Sequence, residues 1–395
     1  MKIDPYKHKE RYDNWKEKAR EGIPNICRED SEIIKQFLND MERGMNISTG
    51  SKKGARSYIR LNTLRDKLLF FSKHFDKRFG IKRITEINEE QIHTFFTEMR
   101  NGDLKKQTDG GTYKSAAFFV KVFKAFWHWH IKVKKKEGIA IIDITVDLDT
   151  TTDKPKWVYL NEDQVKKLCD NAKLEYKVLI MFLFDTGIRS PTELVNLRVG
   201  DFYEDFKKLL IREETSKTFG RKINLMLSSK LIKDYVKEKG LKDTDQIFAI
   251  IPETVNKYLK RLGEKVLGDV SSLAGEKYSK LTMYDFRHSS ACYWLSRYKS
   301  ESALKYRFGW KKSEMIHYYT ELLGMKDTIT EEDLLVDVTK TEIEQRLTKT
   351  EKEKEILQEK MNAMQKDLQI VISTLQKLER AKEIDEIELR MHKRV

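Results

Sequence analysis

"YKVLIMFLFDTGIRSPTELVNLRVGDF", residues 176 to 202, starts as an unbroken apolar run, turns at a glycine and resumes with a second helical pattern. The run "VLIMFLF" (178–184) has no polar face and no alternation, so it reads as a helix buried on all sides. It is among the longest apolar runs in the chain, yet far short of the roughly 20 residues that cross a bilayer, so no membrane segment is expected. Arg189 follows the turn, beside sequence that the pattern buries, and Arg287 in "LTMYDFRHSSACYWL" (281–295) stands in the same situation. A buried guanidinium needs an anion, which either a carboxylate or a phosphate supplies.

Outward from this stretch, residues 30 to 136 read as helices separated by polar loops. Leu61, Leu64, Leu68, Phe71 and Phe75 recur at steps of three and four, giving one apolar stripe. After the turn "TDGGT" (108–112), a second long helix places Phe119, Phe123, Phe126 and His130 along one side. Lys114, Lys121, Lys124, His128 and Lys132 lie along another, either as a solvated face or as a helix laid against phosphates. A Thr-, Asp- and Pro-containing segment then reads as a linker, and Asn161 is placed to cap the helix of "LNEDQVKKLCDNA". In "KKLLIREETSKTFGRKINLML" (207–227) two or three short strands are expected, with a turn at "TFG" and Ile223, Leu225 and Leu227 repeating every second residue.

Past residue 340 the pattern changes. Ile343, Leu347, Thr350, Lys354, Leu357, Met361, Met364, Leu368, Val371, Leu375 and Leu378 hold a four-three spacing with charges between them, which predicts a coiled coil or one long helix folded back on its own domain. The expected organisation is a basic arm (1–27), a helical domain (28–136), a linker (137–156), a mixed α/β domain (157–330) and a terminal long helix or coiled coil (331–395). The fold class is therefore mainly α with a small β-sheet.

The 395 residues hold 77 Lys and Arg against 63 Asp and Glu, for a net charge of +14. A polyanion such as nucleic acid is the natural partner, although basic character also serves solubility alone. The first residues, "MKIDPYKHKERYDNWKEKAREG", lack the apolar stretch of a secretory signal, so a cytoplasmic setting is expected. Cys27, Cys169 and Cys292 form no close pair, which argues against disulfides and a Cys-rich zinc site. There is no GxxxxGK[ST] phosphate loop, no HExxH helix and no ligand spacing among the eight histidines, so any catalysis is expected to need no metal. "DTG" (185–187) reads as a helix-ending turn.

Four segments, "TGIRSPTELVNLRVGDF", "SKTFGRKINL", "LTMYDFRHSSACYWL" and "FGWKKSEMIHYYTEL", occur in this order. Together they resemble the catalytic domain of tyrosine recombinases, the phage-integrase and Xer-like family, over roughly residues 157 to 325. The helical region before them resembles that family's core-binding, DNA-clamping domain. The resemblance implies that Arg189 and Arg287 are the two catalytic arginines, that Lys217 is the β-hairpin lysine and that Trp310 takes a position used by His or Trp. Tyr284 stands three residues before Arg287, where the family has His or Lys. Nine residues beyond Trp310 lies Tyr319, the implied nucleophile, with Tyr318 out of register.

The implied chemistry is attack of the tyrosine oxygen on a phosphodiester of double-stranded DNA, giving a 3′-phosphotyrosine and a free 5′-hydroxyl. Because the protein–DNA bond conserves the energy, neither a cofactor nor a metal is implied. The arginines would hold the non-bridging oxygens, Lys217 would protonate the leaving oxygen and Trp310 would donate its indole N–H. Tyr284 can donate to phosphate but is a poor base, which leaves water, the phosphate or His288 to take the nucleophile's proton; His288 equally reads as a core histidine. The family further implies a tetramer on DNA, and the heptads imply self-association or a coiled-coil partner. Two alternatives stand beside this reading: a type IB-like topoisomerase, and a catalytically weakened DNA-binding or DNA-bridging protein.

Overall fold

The computed structural model describes residues 2–48, 50–106, 110–113, 115–152, 155–298 and 300–322, with short stretches between 350 and 373. The chain divides into two units, Met1–Ile316 and His317–Val395. The first unit holds two hydrophobic cores, one on either side of residue 155.

The amino-terminal core is built by α1 (His8–Lys18), α2 (Arg28–Arg43), α3 (Tyr58–Phe79), α4 (Glu89–Asn101) and α5 (Ala116–Lys136). The stripe Leu61, Leu64, Leu68, Phe71 and Phe75 on α3 is fully buried. It meets Phe95 and Phe96 of α4 and Phe119 and Phe123 of α5. Phe75 lies edge-on to Phe95 at 5.1 Å and Phe71 edge-on to Phe123 at 5.4 Å, the arrangement that the ring quadrupole favours. Each such buried ring contributes on the order of 1.5–3 kcal/mol.

The residues read as a basic arm include α1, which packs on α3 and buries Tyr12. Ahead of it, the Ile3 backbone exchanges two hydrogen bonds with the Asn196 side chain, at 2.7 and 3.0 Å. On α5, Lys124 Nζ donates to the carbonyls of Val146 and Leu148, and Lys132 Nζ donates to that of Ile47. Lys121 is exposed, and Lys114 lies outside the described residues. The segment after α5 turns back along it, with Ile144 and Leu148 buried in the same core.

The second core surrounds α7 (Leu174–Thr186), whose Val178, Leu179, Ile180, Phe182, Leu183 and Phe184 are all buried. Helices α6 (Glu162–Asp170), α8 (Ser229–Lys239) and α10 (Met283–Leu295) pack on it, α9 (Pro252–Leu267) adds to the same core, and α11 (Glu301–Phe308) packs on α10. Asn161 caps α6 in a reciprocal capping box with Gln164. Three short strands, β1 (Phe202–Tyr203), β2 (Lys208–Ile211) and β3 (Arg221–Asn224), form an antiparallel sheet in sequential order, with Leu209 opposite Ile223 and Ile211 opposite Arg221. Leu209, Ile211, Ile223 and Leu225 face the core, whereas Leu210 and Leu227 are exposed. The alternation breaks at Leu227 because the sheet ends at Asn224 and, past Leu225, whose N–H still donates to Lys207 O, the amides take a different partner.

That partner is Asp185, at the end of α7. Its Oδ2 accepts from the backbone N–H of Met226, Leu227 and Ser228 and from Ser228 Oγ, at 2.8–3.1 Å. Its Oδ1 pairs with Arg307 of α11 at 3.1 Å, and its carbonyl accepts from Trp294 Nε1 of α10. The aspartate of "DTG" therefore ties α7, α10, α11 and the chain leaving β3 together.

Among the described residues the chain is mainly helical with one small sheet, as its sequence predicts for residues up to about 320. α12 (Glu314–Leu322) runs into the second unit. There Leu357, Met361, Met364 and Leu368 are helical and exposed at four- and three-residue spacing. Ile343, Leu347, Val371, Leu375 and Leu378 of the heptad pattern lie outside the described residues. Among the described residues, no helix is long and apolar enough to cross a membrane.

Replacing Asp185 with Ala leaves Arg307 buried without its carboxylate and orphans three amides, so urea unfolding should register a loss of about 3–5 kcal/mol. Lys233→Ala, which removes only the exposed pair with Asp205, should cost less than about 1 kcal/mol.

Candidate active site

A helix leaves its last carbonyls without intrahelical partners, and its C-terminus carries partial negative charge. At the end of α11 three arginines from three other segments occupy three consecutive carbonyls. Arg221 Nε of β3 donates to Arg307 O at 2.8 Å, Arg287 Nη2 of α10 to Phe308 O at 2.7 Å, and Arg189 Nη2 to Gly309 O at 2.6 Å. Arg287 Nη1 also donates to Gly187 O, and its guanidinium lies over the Phe308 ring.

Two glycines make this approach possible. Gly187 has φ +57°, and a Cβ there would come within 2.2 Å of the Phe308 ring. Gly309 has φ +62°, and a Cβ would sit 3.1 Å from Arg189 Nη1, Arg221 Nη1 and Thr218 Oγ1 alike.

The anion that balances this cluster is Glu193, one turn beyond Arg189 and 1 % exposed. Its Oε1 accepts from Arg189 Nη1 at 2.9 Å and Arg221 Nη1 at 3.0 Å; its Oε2 accepts from Arg221 Nη2 at 2.7 Å and the Arg189 backbone N–H at 2.9 Å. Burial works against the charged carboxylate, but the hydrogen bonds and charges of Arg221 and Arg189 outweigh it and hold its pKa down to about 2. Among the described residues, Arg287 forms no ion pair with a carboxylate. Its burial, followed by repulsion from Arg189, lowers its pKa. A guanidinium has five N–H donors, so these bonds leave Arg189 and Arg287 able to grip a bound oxyanion.

Lys217 is exposed in the turn between β2 and β3, and that turn is docked on the same cluster. Ser216 Oγ donates to Glu193 Oε1 at 3.2 Å, and Thr218 Oγ1 donates to Gly309 O at 2.9 Å. Trp310 follows Gly309, half-buried, its ring stacked on Phe308 at 4.7 Å. Tyr284 is 48 % exposed on the first turn of α10 and meets the His288 ring edge-on at 5.1 Å. Tyr318 and Tyr319 are neighbours on α12, with rings edge-on at 5.3 Å. Arg189, Arg287, Trp310 and the turn bearing Lys217 are thus brought to one helix end.

Arg221 and Glu193 were not singled out from the sequence, although the signal existed. The alternation that puts Ile223 inside the sheet also puts Arg221 inside, and Glu193 is the nearest acid to Arg189 in the following segment.

His288 lies against Trp157 with ring centroids 4.7 Å apart. Burial, then the charge of Arg287, pushes its pKa down to about 4 from the usual 6.5. Between those two values the unfolded chain binds the proton and the folded chain does not, so stability falls as pH drops from about 6.5 toward 4. Melting temperature measured from pH 7 to 5 should fall more steeply in the parent than in His288→Phe.

Residues 158–324 match the model of the phage integrase family. The tyrosine recombinase XerA of Saccharolobus solfataricus is 29% identical over 167 residues, which are 42% of this chain and 52% of that protein. The match therefore spans about half the length of that relative. A lambda integrase dimer bound to a COC′ core site shares the fold with TM-score 0.55 at 15% identity, over 76% of this chain and 98% of that one. A Tn1549 transposon integrase in complex with circular intermediate DNA gives TM-score 0.52 at 14% identity, over 76% and 97%. The buried helix, the glycine turn and the arginines gathered on one helix end all lie within the region that matches: residues 158–324 fit the phage integrase family model, and the fold is that of lambda integrase.

Proposed function

We propose that the chain is a site-specific DNA recombinase, an integrase, which cuts and rejoins double-stranded DNA through a 3′-phosphotyrosine intermediate. The observation that carries this reading is the pair Arg189 and Arg287, held on adjacent carbonyls of one helix end inside a phage integrase domain. The DNA complexes of lambda and Tn1549 integrases support DNA as the substrate.

In this reading Tyr319 Oη attacks the phosphorus, its proton passes to water, and the bond from phosphorus to the 5′-oxygen breaks. Lys217 transfers a proton to the departing 5′-oxygen. Arg189 and Arg287 donate to the non-bridging oxygens, where charge accumulates in the transition state. Trp310 and Tyr284 add one N–H and one O–H donor. Attack by another 5′-hydroxyl reverses the step, so the exchange needs neither nucleotide nor metal.

Residues 28–136 serve as the clamp, with Lys114, Lys121, Lys124 and Lys132 against phosphates; an ammonium has three donors, so a carbonyl bond does not preclude a phosphate contact. Residues 1–27 and 137–156 act as arm and linker, and 157–330 do the chemistry. Four protomers work on two cytoplasmic duplexes, and the heptads of 331–395 strengthen their association as a coiled coil.

Incubation with nicked duplexes that trap the cleaved state should yield a denaturation-resistant protein–DNA adduct. Tyr319→Phe should abolish it and Tyr318→Phe should retain it; the reverse pattern would reassign the nucleophile. Separately, truncation after residue 338 should lower the assembly state measured by sedimentation, and an unchanged state would remove the coiled coil from protomer association.

A further inference from the structure

The turn that carries Lys217 is fastened on both sides of that lysine, and its anchors are the two acceptors that also hold Arg189. Ser216 Oγ reaches Glu193 Oε1, which accepts from Arg189 Nη1. Thr218 Oγ1 reaches Gly309 O, which accepts from Arg189 Nη2. Thr218 N also donates to Ser216 Oγ at 3.3 Å, so the two hydroxyl residues brace each other. One residue further on, the Phe219 ring stacks on Tyr306 of α11, whose hydroxyl accepts from Lys222 N.

We infer that Ser216 and Thr218 are positioning residues that hold Lys217 in register with Arg189 before DNA binds. The inference rests on the recombinase reading above and extends it from the reacting groups to the hydroxyls that place one of them.

An ammonium on a free turn must be found anew in each encounter. One whose backbone is fixed on both sides searches only its own side-chain rotamers, and that restriction favours proton transfer at the moment the 5′-oxygen leaves. The arrangement also makes the acid and the electrophilic arginine share their supports: displacing Glu193 or the carbonyl of Gly309 would disturb both. Lys217 itself stays exposed, with four rotatable carbons to reach a phosphate bound at the arginines.

Because the two hydroxyls are argued to act through Lys217, their loss should be felt at the leaving group and not at substrate binding. A 5′-bridging phosphorothiolate supplies the needed readout, since a thiolate departs without protonation. Single-turnover adduct formation is measured for the parent, Thr218→Val, Ser216→Ala and the double variant, on the ordinary duplex and on the phosphorothiolate duplex.

The double variant should form adduct at least about tenfold more slowly than the parent on the phosphodiester, and at close to the parent rate on the phosphorothiolate. Thr218→Ser, which keeps a hydroxyl, should restore the phosphodiester rate. Equal slowing on both substrates, or no slowing on either, would overturn the inference while leaving the recombinase reading intact. A parent that forms adduct on neither duplex would instead overturn that reading.

Discussion

The carboxy-terminal end of α11 governs the candidate site of this molecule. Three guanidiniums from three separate segments each take one of three consecutive carbonyls there, and each is positively charged. Such a cluster would repel itself in a low-dielectric interior without Glu193, whose two oxygens take four donors from Arg189 and Arg221. The helix dipole and one carboxylate together make the site compatible with folding, and they do so while leaving it net positive.

Much of the architecture was legible in advance. The stripe on α3 and the all-round apolar run of α7 announced two helices by period and by its absence, and Asn161, read as a cap, announced where α6 begins. The strands were harder. Leu210 looked as apolar as Leu209, yet only the latter faces the core, and that choice depends on pairing register with β3, which no local pattern specifies.

Site residues divide along the same line. Arg189 and Arg287 stand out because a charge beside an apolar segment is expensive to bury, a property visible in one dimension. Arg221 hides in a strand whose alternation has to be known first, and Glu193 looks like any surface acid until two guanidiniums are seen on it. Lys124 and Lys132 make the opposite case. Their position on a basic helical face is plain from sequence, while the carbonyls of Val146, Leu148 and Ile47 that they reach come from segments distant in sequence.

Asp185 has a consequence for how this domain can move. Four segments converge on one carboxylate and its backbone carbonyl, so peeling away α11, or the chain after β3, exposes a fully buried charge whose partners are gone. Partial opening at that point has no low-energy intermediate. The region around the candidate site is therefore expected to behave as one cooperative unit on the timescale of native-state hydrogen exchange, rigid in its framework and variable only in the side chains that project from it.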